Sequence, residues 1–198
     1  MKKAIVFILT ILLTTISFGQ SGISDCPDSL YWRLTHDTGM RTKSVEDWQN
    51  CIKGKRMPDL FLQTISGKKI ETKKLLGKVL VINLWFTGCA PCVAEIPALN
   101  QLVKEYNDKD VVFLAIAADA KEKLDSQFLP LHKFDFTIIA DGDDVISRIG
   151  KTGFPTTYII DKKGKIRDAW IGGETGERAK TAAYQRAKPI IDGLLTAQ

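Results

Sequence analysis

Lys78-Val79-Leu80-Val81-Ile82-Asn83-Leu84-Trp85-Phe86-Thr87-Gly88-Cys89-Ala90-Pro91-Cys92 decides how this chain folds. The nearly continuous apolar run from Lys78 to Phe86, rich in Val and Ile, predicts a strand buried on both faces. Beyond Cys89 the apolar residues Ile96, Leu99, Leu102, Val103 and Tyr106 recur at helical spacing, so a helix is expected from about Pro91 to Tyr106. Pro91 suits a first helical turn, where its missing N–H costs nothing. Pro97, further in, removes a hydrogen bond and is expected to kink the helix. A buried strand that turns sharply into a helix, with two cysteines at the turn, marks an α/β domain with chemistry at the junction.

Working outward, Leu60 to Thr64 and Lys69 to Glu71 read as a hairpin turning at Ser66-Gly67-Lys68. After the helix, Val111 to Ala117 is a second buried strand, Lys121 to Lys133 a helix, Phe136 to Ala140 a strand and Asp143 to Ile149 a short helix. Thr156 to Ile160 and Lys165 to Ile171 form a closing hairpin around Asp161-Lys162-Lys163-Gly164. A last helical segment runs from about Glu174 to Leu195, with an interruption expected at Pro189. Strands alternating with helices imply a three-layer α/β fold with a central mixed sheet and helices on both faces.

The spacing of Cys89 and Cys92 allows a small disulfide ring that opens and closes without unfolding the chain. At a helix N-terminus the free amides and the macrodipole favour negative charge, so a thiol there ionises more easily. Cys89, first in the motif, is the expected attacking residue, and Cys92, one turn in, the one that resolves the mixed disulfide. A purely structural disulfide, or half of a zinc site, is the competing reading. Zinc needs two further ligands, and Cys26, Cys51, His36 and His132 stand at none of the usual paired spacings. Covalent haem attachment needs His after the second cysteine, where Val93 stands.

Resolution by a buried thiol needs a proton acceptor. Glu95 shares a helical face with Cys92, and burial beside the thiol would raise its pKa and let it shuttle the proton; otherwise it is a surface glutamate of the first helical turn. Gly153-Phe154-Pro155-Thr156-Thr157 opens a strand with a proline, which is either an edge device or a cis proline beside the disulfide.

The N-terminus has Lys2 and Lys3, an apolar run from Ala4 to Phe18 and small residues at Ser17 and Gly19, the order of a secretory signal with cleavage expected after Gly19. Retention as an N-terminal anchor is the alternative, although the run is shorter than the roughly 18–20 residues a spanning helix needs. The expected organisation is a signal at 1–19, an N-terminal extension at 20–56 with a helix near Val45, Trp48 and Ile52 capped by Ser44, and the main domain at 57–198. The formal charge of +5 falls to +3 once the two lysines leave with the signal. No basic patch is interleaved with aromatics, so nucleic acid is not an expected partner. Export would place Cys26 and Cys51 where disulfides persist, and their pairing would close a loop worth roughly 3–4 kcal/mol; one of them exchanging with the active site, or staying free, is the alternative.

Val81-Ile82-Asn83-Leu84-Trp85-Phe86, Cys89-Ala90-Pro91-Cys92, Glu95 with Pro97, and Pro155-Thr156-Thr157 leading into Tyr158-Ile159-Ile160-Asp161 together resemble the exported TlpA/ResA-like thiol-disulfide oxidoreductases. The match covers roughly Met57 to Gln198. The resemblance implies a thioredoxin-like fold with an N-terminal hairpin and a central helix-strand insert, supplied by Lys121 to Ala140. It also implies a cis peptide before Pro155, substrate docking at Phe154 and Pro155, an active-site acid at Glu95 and Trp85 packed beneath the redox centre. Two departures stand out. Thioredoxins proper carry an aspartate where this chain has Asn83, which cannot do acid-base work, and the family usually has tryptophan where Gly88 stands.

The expected activity is exchange of disulfides with exported proteins, most readily as a reductase fed by a membrane thiol donor. The resemblance points to reduction, for example of cysteines in exported apocytochromes, and no cofactor beyond the Cys89–Cys92 pair is expected. A thioredoxin-fold peroxidase is one rival, but peroxiredoxins place proline and threonine where Ile82 and Phe86 precede Cys89. A non-enzymatic copper or zinc carrier is the other, and it needs Cys89, Cys92 and a histidine to converge. Potentials of CxxC proteins run from about −270 to about −120 mV, and Ala90-Pro91 does not fix the value.

Overall fold

All seven residues of β3 (Val79–Trp85) are buried in the computed structural model, which describes Ile23, Cys26, residues 38–149 and residues 153–197. β3 is the middle of a five-stranded sheet ordered β5-β4-β3-β6-β7, where β4 is Val111–Ala117, β5 Thr137–Ile139, β6 Thr156–Ile160 and β7 Ile166–Ile171. β3, β4 and β5 run parallel, while β6 and β7 are antiparallel additions. Alternate side chains of a strand point to opposite faces. Val79, Val81 and Trp85 therefore join one core, and Leu80, Ile82 and Leu84 the other.

The first core is closed by α2 (Ala90–Glu105) and α5 (Ala179–Thr196), which pack on each other. Over the second lie α1 (Thr38–Ile52), α4 (Asp143–Ile149) and the two-stranded hairpin of β1 (Phe61–Gln63) and β2 (Lys69–Glu71). This is the expected three-layer thioredoxin-like fold, with its mixed sheet and N-terminal hairpin. Asn83 lies in phase with Val81 and Trp85 and so faces α2, a placement that matters for the site.

Three elements differ from expectation. The helix expected over Lys121 to Lys133 shrinks to α3 (Lys121–Lys123) and one wide π-turn at Leu124–Phe128. Pro130 explains the stop: Leu129 before it is still helical, with φ −63° and ψ −29°, but the proline has no N–H with which to carry the hydrogen-bond ladder on. Pro189, by contrast, does not interrupt α5, which continues to Thr196; Ala183, Ala187 and Ile191 bury one face across the proline and hold both turns. α5 starts at Ala179 rather than near Glu174, after a single 3-10 turn at Gly176–Arg178. α1 likewise begins at Thr38, so Ser44 is an interior position and not the N-cap; anchoring of its later turns through Trp48 and Ile52 outweighs a local capping preference. The signal segment, its cleavage site and His36 lie outside the described residues. Among the described residues no helix is long and apolar enough to cross a membrane.

Candidate active site

Cys89 is the N-cap of α2, with its Sγ 3.3 Å from the Cys92 N–H that donates to it and its carbonyl accepting from Val93 N–H at 3.1 Å. Pro91 occupies the first turn, as its lack of a donor allows. Cys89 and Cys92 are joined as a disulfide with their Cα atoms 5.2 Å apart, so the structure shows the oxidised form. The two sulfurs are not equivalent. Both are buried, at 5% and 2% exposed, but Cys89 lines a cleft of about 660 Å³ that Cys92 does not reach.

Phe154 and Pro155, joined by a cis peptide bond, stand at the same place: Phe154 lines the cleft with Cys89 and Pro91. The Pro155 carbonyl accepts from Gly172 N–H at 2.7 Å, fixing the start of β6 against the end of β7. Phe86 meets Phe154 edge-on, with ring centroids 5.1 Å apart. A Cβ built on Gly88 would lie 3.2 Å from Phe86 Cε2. The Phe86 ring therefore occupies the flank of Gly88, and the surface beside Cys89 is less open than the missing tryptophan suggests.

Glu95 is 2% exposed on α2, and its Oε1 accepts from Asn83 Nδ2 at 2.9 Å. Asn83 Nδ2 also donates to Thr157 Oγ1 at 3.0 Å, across the register pair Asn83–Thr157 of β3 and β6. Burial pushes the Glu95 carboxyl up to about 7, against the lowering effect of the Asn83 amide. The other oxygen, Oε2, meets Gly173: a Cβ there would sit 3.3 Å from Glu95 Oε2, 3.3 Å from the Pro91 carbonyl oxygen and 3.2 Å from Pro155 Cγ. Glu95 thus shares one small space with the CxxC segment and the cis proline. It opens onto a second cleft, walled by Gly172, Gly173 and Ala183, that does not contain Cys89. Asn83, excluded from acid-base work by its chemistry, instead holds the acid in place.

Trp85 is in the same buried cluster as both cysteines and packs on Phe128 and Phe134, with centroids 5.0 and 5.3 Å away. Its Nε1 has no hydrogen-bond partner among the described residues. Cys26 and Cys51 are disulfide-bonded, with Cα atoms 5.7 Å apart. His132 stacks on Phe128, and among the described residues no group of three His, Cys, Asp or Glu could hold a metal ion.

Several contributors were not identified from sequence. Thr157 is the cross-strand neighbour of Asn83, a pairing that needs the sheet register. Gly173 matters through close approach, which nothing local announces. Asp119, at the end of β4, accepts from Thr87 N–H at 2.5 Å and pairs with Lys123 at 2.6 Å, tying the loop before Cys89 to the next strand. Burial opposes its charge, but Lys123 and the Thr87 amide outweigh that and hold the carboxyl below its usual range. A lone aspartate past an apolar strand was the only signal available.

The AhpC/TSA family model matches residues 53–169. The chain is 36% identical over 126 residues to the thiol-disulfide oxidoreductase ResA of Bacillus anthracis, covering 63% of this chain and 73% of that protein. Thioredoxin-like protein YneN of Bacillus subtilis is 36% identical over 124 residues, 62% of this chain and 73% of its own. Among solved structures, a Chlorobium tepidum protein described as a thiol:disulfide interchange protein DsbE superposes with a TM-score of 0.61 at 26% identity, over 70% of this chain and 97% of that one. A second Chlorobium tepidum thiol:disulfide interchange protein shares the fold, with a TM-score of 0.60 at 21% identity over 72% and 97% of the two chains.

Proposed function

The chain belongs to the AhpC/TSA family as one of its TlpA/ResA-like protein thiol-disulfide oxidoreductases, and from that premise we propose that it works outside the cytoplasm as a reductase of protein disulfides. The observation that carries the mechanism is the asymmetry of the pair: Cys89 lines an open cleft beside Phe154, and Cys92 is shut away from it.

In the reduced protein, Cys89 as thiolate attacks one sulfur of a substrate disulfide. The substrate S–S bond breaks, a mixed disulfide forms, and the departing substrate sulfur takes up a proton. Cys92 then gives its proton to Glu95 and, as thiolate, attacks Cys89 Sγ, expelling the second substrate sulfur as a thiolate that takes up a proton from solvent and leaving the Cys89–Cys92 disulfide. Two electrons pass to the substrate. Glu95 suits the acceptor's role because burial holds its pKa near the working pH and Asn83 fixes its orientation. Phe154 and Pro155 form the docking edge, Trp85 is the floor of the redox centre, and Cys26–Cys51 staples the extension. No bound cofactor enters these steps.

The N-terminal signal pattern supports export, with Gly19 as the last residue removed. Exported apocytochromes are a fitting substrate class, and a membrane thiol protein the electron donor that restores the dithiol. Equilibration with glutathione tests the direction. A reductase is expected toward the thioredoxin end of the range, about −270 mV, and a value near about −120 mV would overturn that direction.

A further inference from the structure

The middle of α1, at Val45, Glu46 and Gln49, lines the cleft that holds Cys89, and the family match, which starts at residue 53, does not include it. Three contacts set α1 and the turn that follows it antiparallel to the edge strand β7, and a fourth seats the helix on β6. Gly54 N–H donates to the Ile166 carbonyl at 2.8 Å, Lys53 Nζ lies 3.4 Å from Asp168 Oδ1, Gln49 Nε2 donates to the Ala169 carbonyl at 2.7 Å, and Trp48 meets Tyr158 edge-on at 6.0 Å. Reading α1 backwards therefore reads β7 forwards, toward Ile171 and the end of the sheet that carries Cys89. Each residue before Gln49 advances by about 1.5 Å in that direction, and Val45 and Glu46 line the cleft that holds Cys89. The Cys26–Cys51 disulfide, with Ile23 buried in the same core as Trp48 and Ile52, pins the last turn of the helix.

We propose that α1 is a wall of the substrate groove and that Glu46 selects cysteine-bearing segments with a basic residue beside the cysteine. The inference rests on Cys89 being the attacking sulfur. Among the described residues, two charged side chains line the cleft, Glu46 and Arg186. Arg186 is already engaged: its guanidinium lies 3.3 Å from Asp168 Oδ2 and 4.6 Å over the Trp170 ring. Glu46 is exposed and has no ion pair among the described residues. Lys53, the second cation on Asp168, does not line the cleft. Among the described residues, the charge left to meet an incoming chain is therefore negative, at the rim of a groove whose inner wall is the Phe86–Phe154 pair. A protein built only of the matched domain would lack this rim.

The test uses the full chain, reduced beforehand, and two oxidised peptides that differ only in Lys or Glu next to the cysteine. At low ionic strength the wild type is expected to favour the Lys peptide in kcat/KM by about two- to fivefold, the range of one exposed charge pair, with the preference shrinking as salt is added. Glu46→Gln should erase the preference and Glu46→Lys invert it. A ratio of one in the wild type, or a ratio that survives Glu46→Lys, overturns the proposal. Reduction of a small neutral disulfide by the wild type, and its loss in Cys89→Ser, checks the exchange chemistry separately. With that intact and the peptide ratio flat, only the role of α1 falls.

Discussion

Glu95 is the residue on which pH dependence turns. Its carboxyl is raised from the usual 4.5 to about 7 by burial, so the folded protein binds a proton that the unfolded chain has released. Stability from this group is complete below about pH 4.5 and is lost as pH rises through 7, by on the order of 3 kcal/mol. Unfolding of the oxidised protein should therefore need less denaturant at pH 8 than at pH 5, and Glu95→Gln should flatten that difference. The same variant should lose the step near pH 7 in the rate at which the mixed disulfide is resolved; an unchanged profile would show that another group takes the Cys92 proton. Gly172 and Gly173 separate backbone from space. Gly172 has φ +86 with nothing near its missing Cβ, so Gly172→Ala should cost about 1 kcal/mol and leave the Glu95 titration in place. Gly173 is outside the left-handed region, but a Cβ added there would lie 3.3 Å from Glu95 Oε2. Gly173→Ala should bury the carboxyl further and move its titration upward, which carboxyl NMR would read; equal behaviour of the two variants would refute the contact argument.

At the scale of elements, α2 and the strand before it were legible because each carries one strong pattern: an apolar run broken only by Asn83, then helical spacing behind Pro91. The segment after Lys121 was not, because its apolar residues suit a helix while Pro130 forbids its completion, and the outcome is a π-turn that seats Leu124 and Phe128 in the core. α5 shows the reverse, where burial of Ala183, Ala187 and Ile191 carries a helix through Pro189. The N-terminal extension depends on its staple. The Cys26–Cys51 bridge spans a sequence separation of 25, so Cys26→Ser with Cys51→Ser should lower the stability of the oxidised protein by roughly 3–4 kcal/mol on loop closure alone. A urea midpoint unchanged by the double substitution would mean that Trp48 and Ile52 hold α1 without the disulfide.

Over the whole molecule, redox direction is a difference in folding free energy between two covalent states. Strong oxidants of this fold are those whose reduced form is the more stable. A reductase should instead show the oxidised chain unfolding at the higher guanidinium concentration, and the opposite order would contradict the direction proposed here. The sequence by itself determined the fold class and the reactive pair, and it singled out Glu95 as the candidate acid. These are written in local patterns: hydrophobic periodicity, the spacing of Cys89 and Cys92, and Glu95 one turn on. Only the tertiary structure decided that Asn83 and Thr157 hold that acid, that Gly173 closes over it, and that α1 reaches the mouth of the cleft. Those relations join residues far apart in the chain, and they exist only once sheet register and helix packing have set the distances between them.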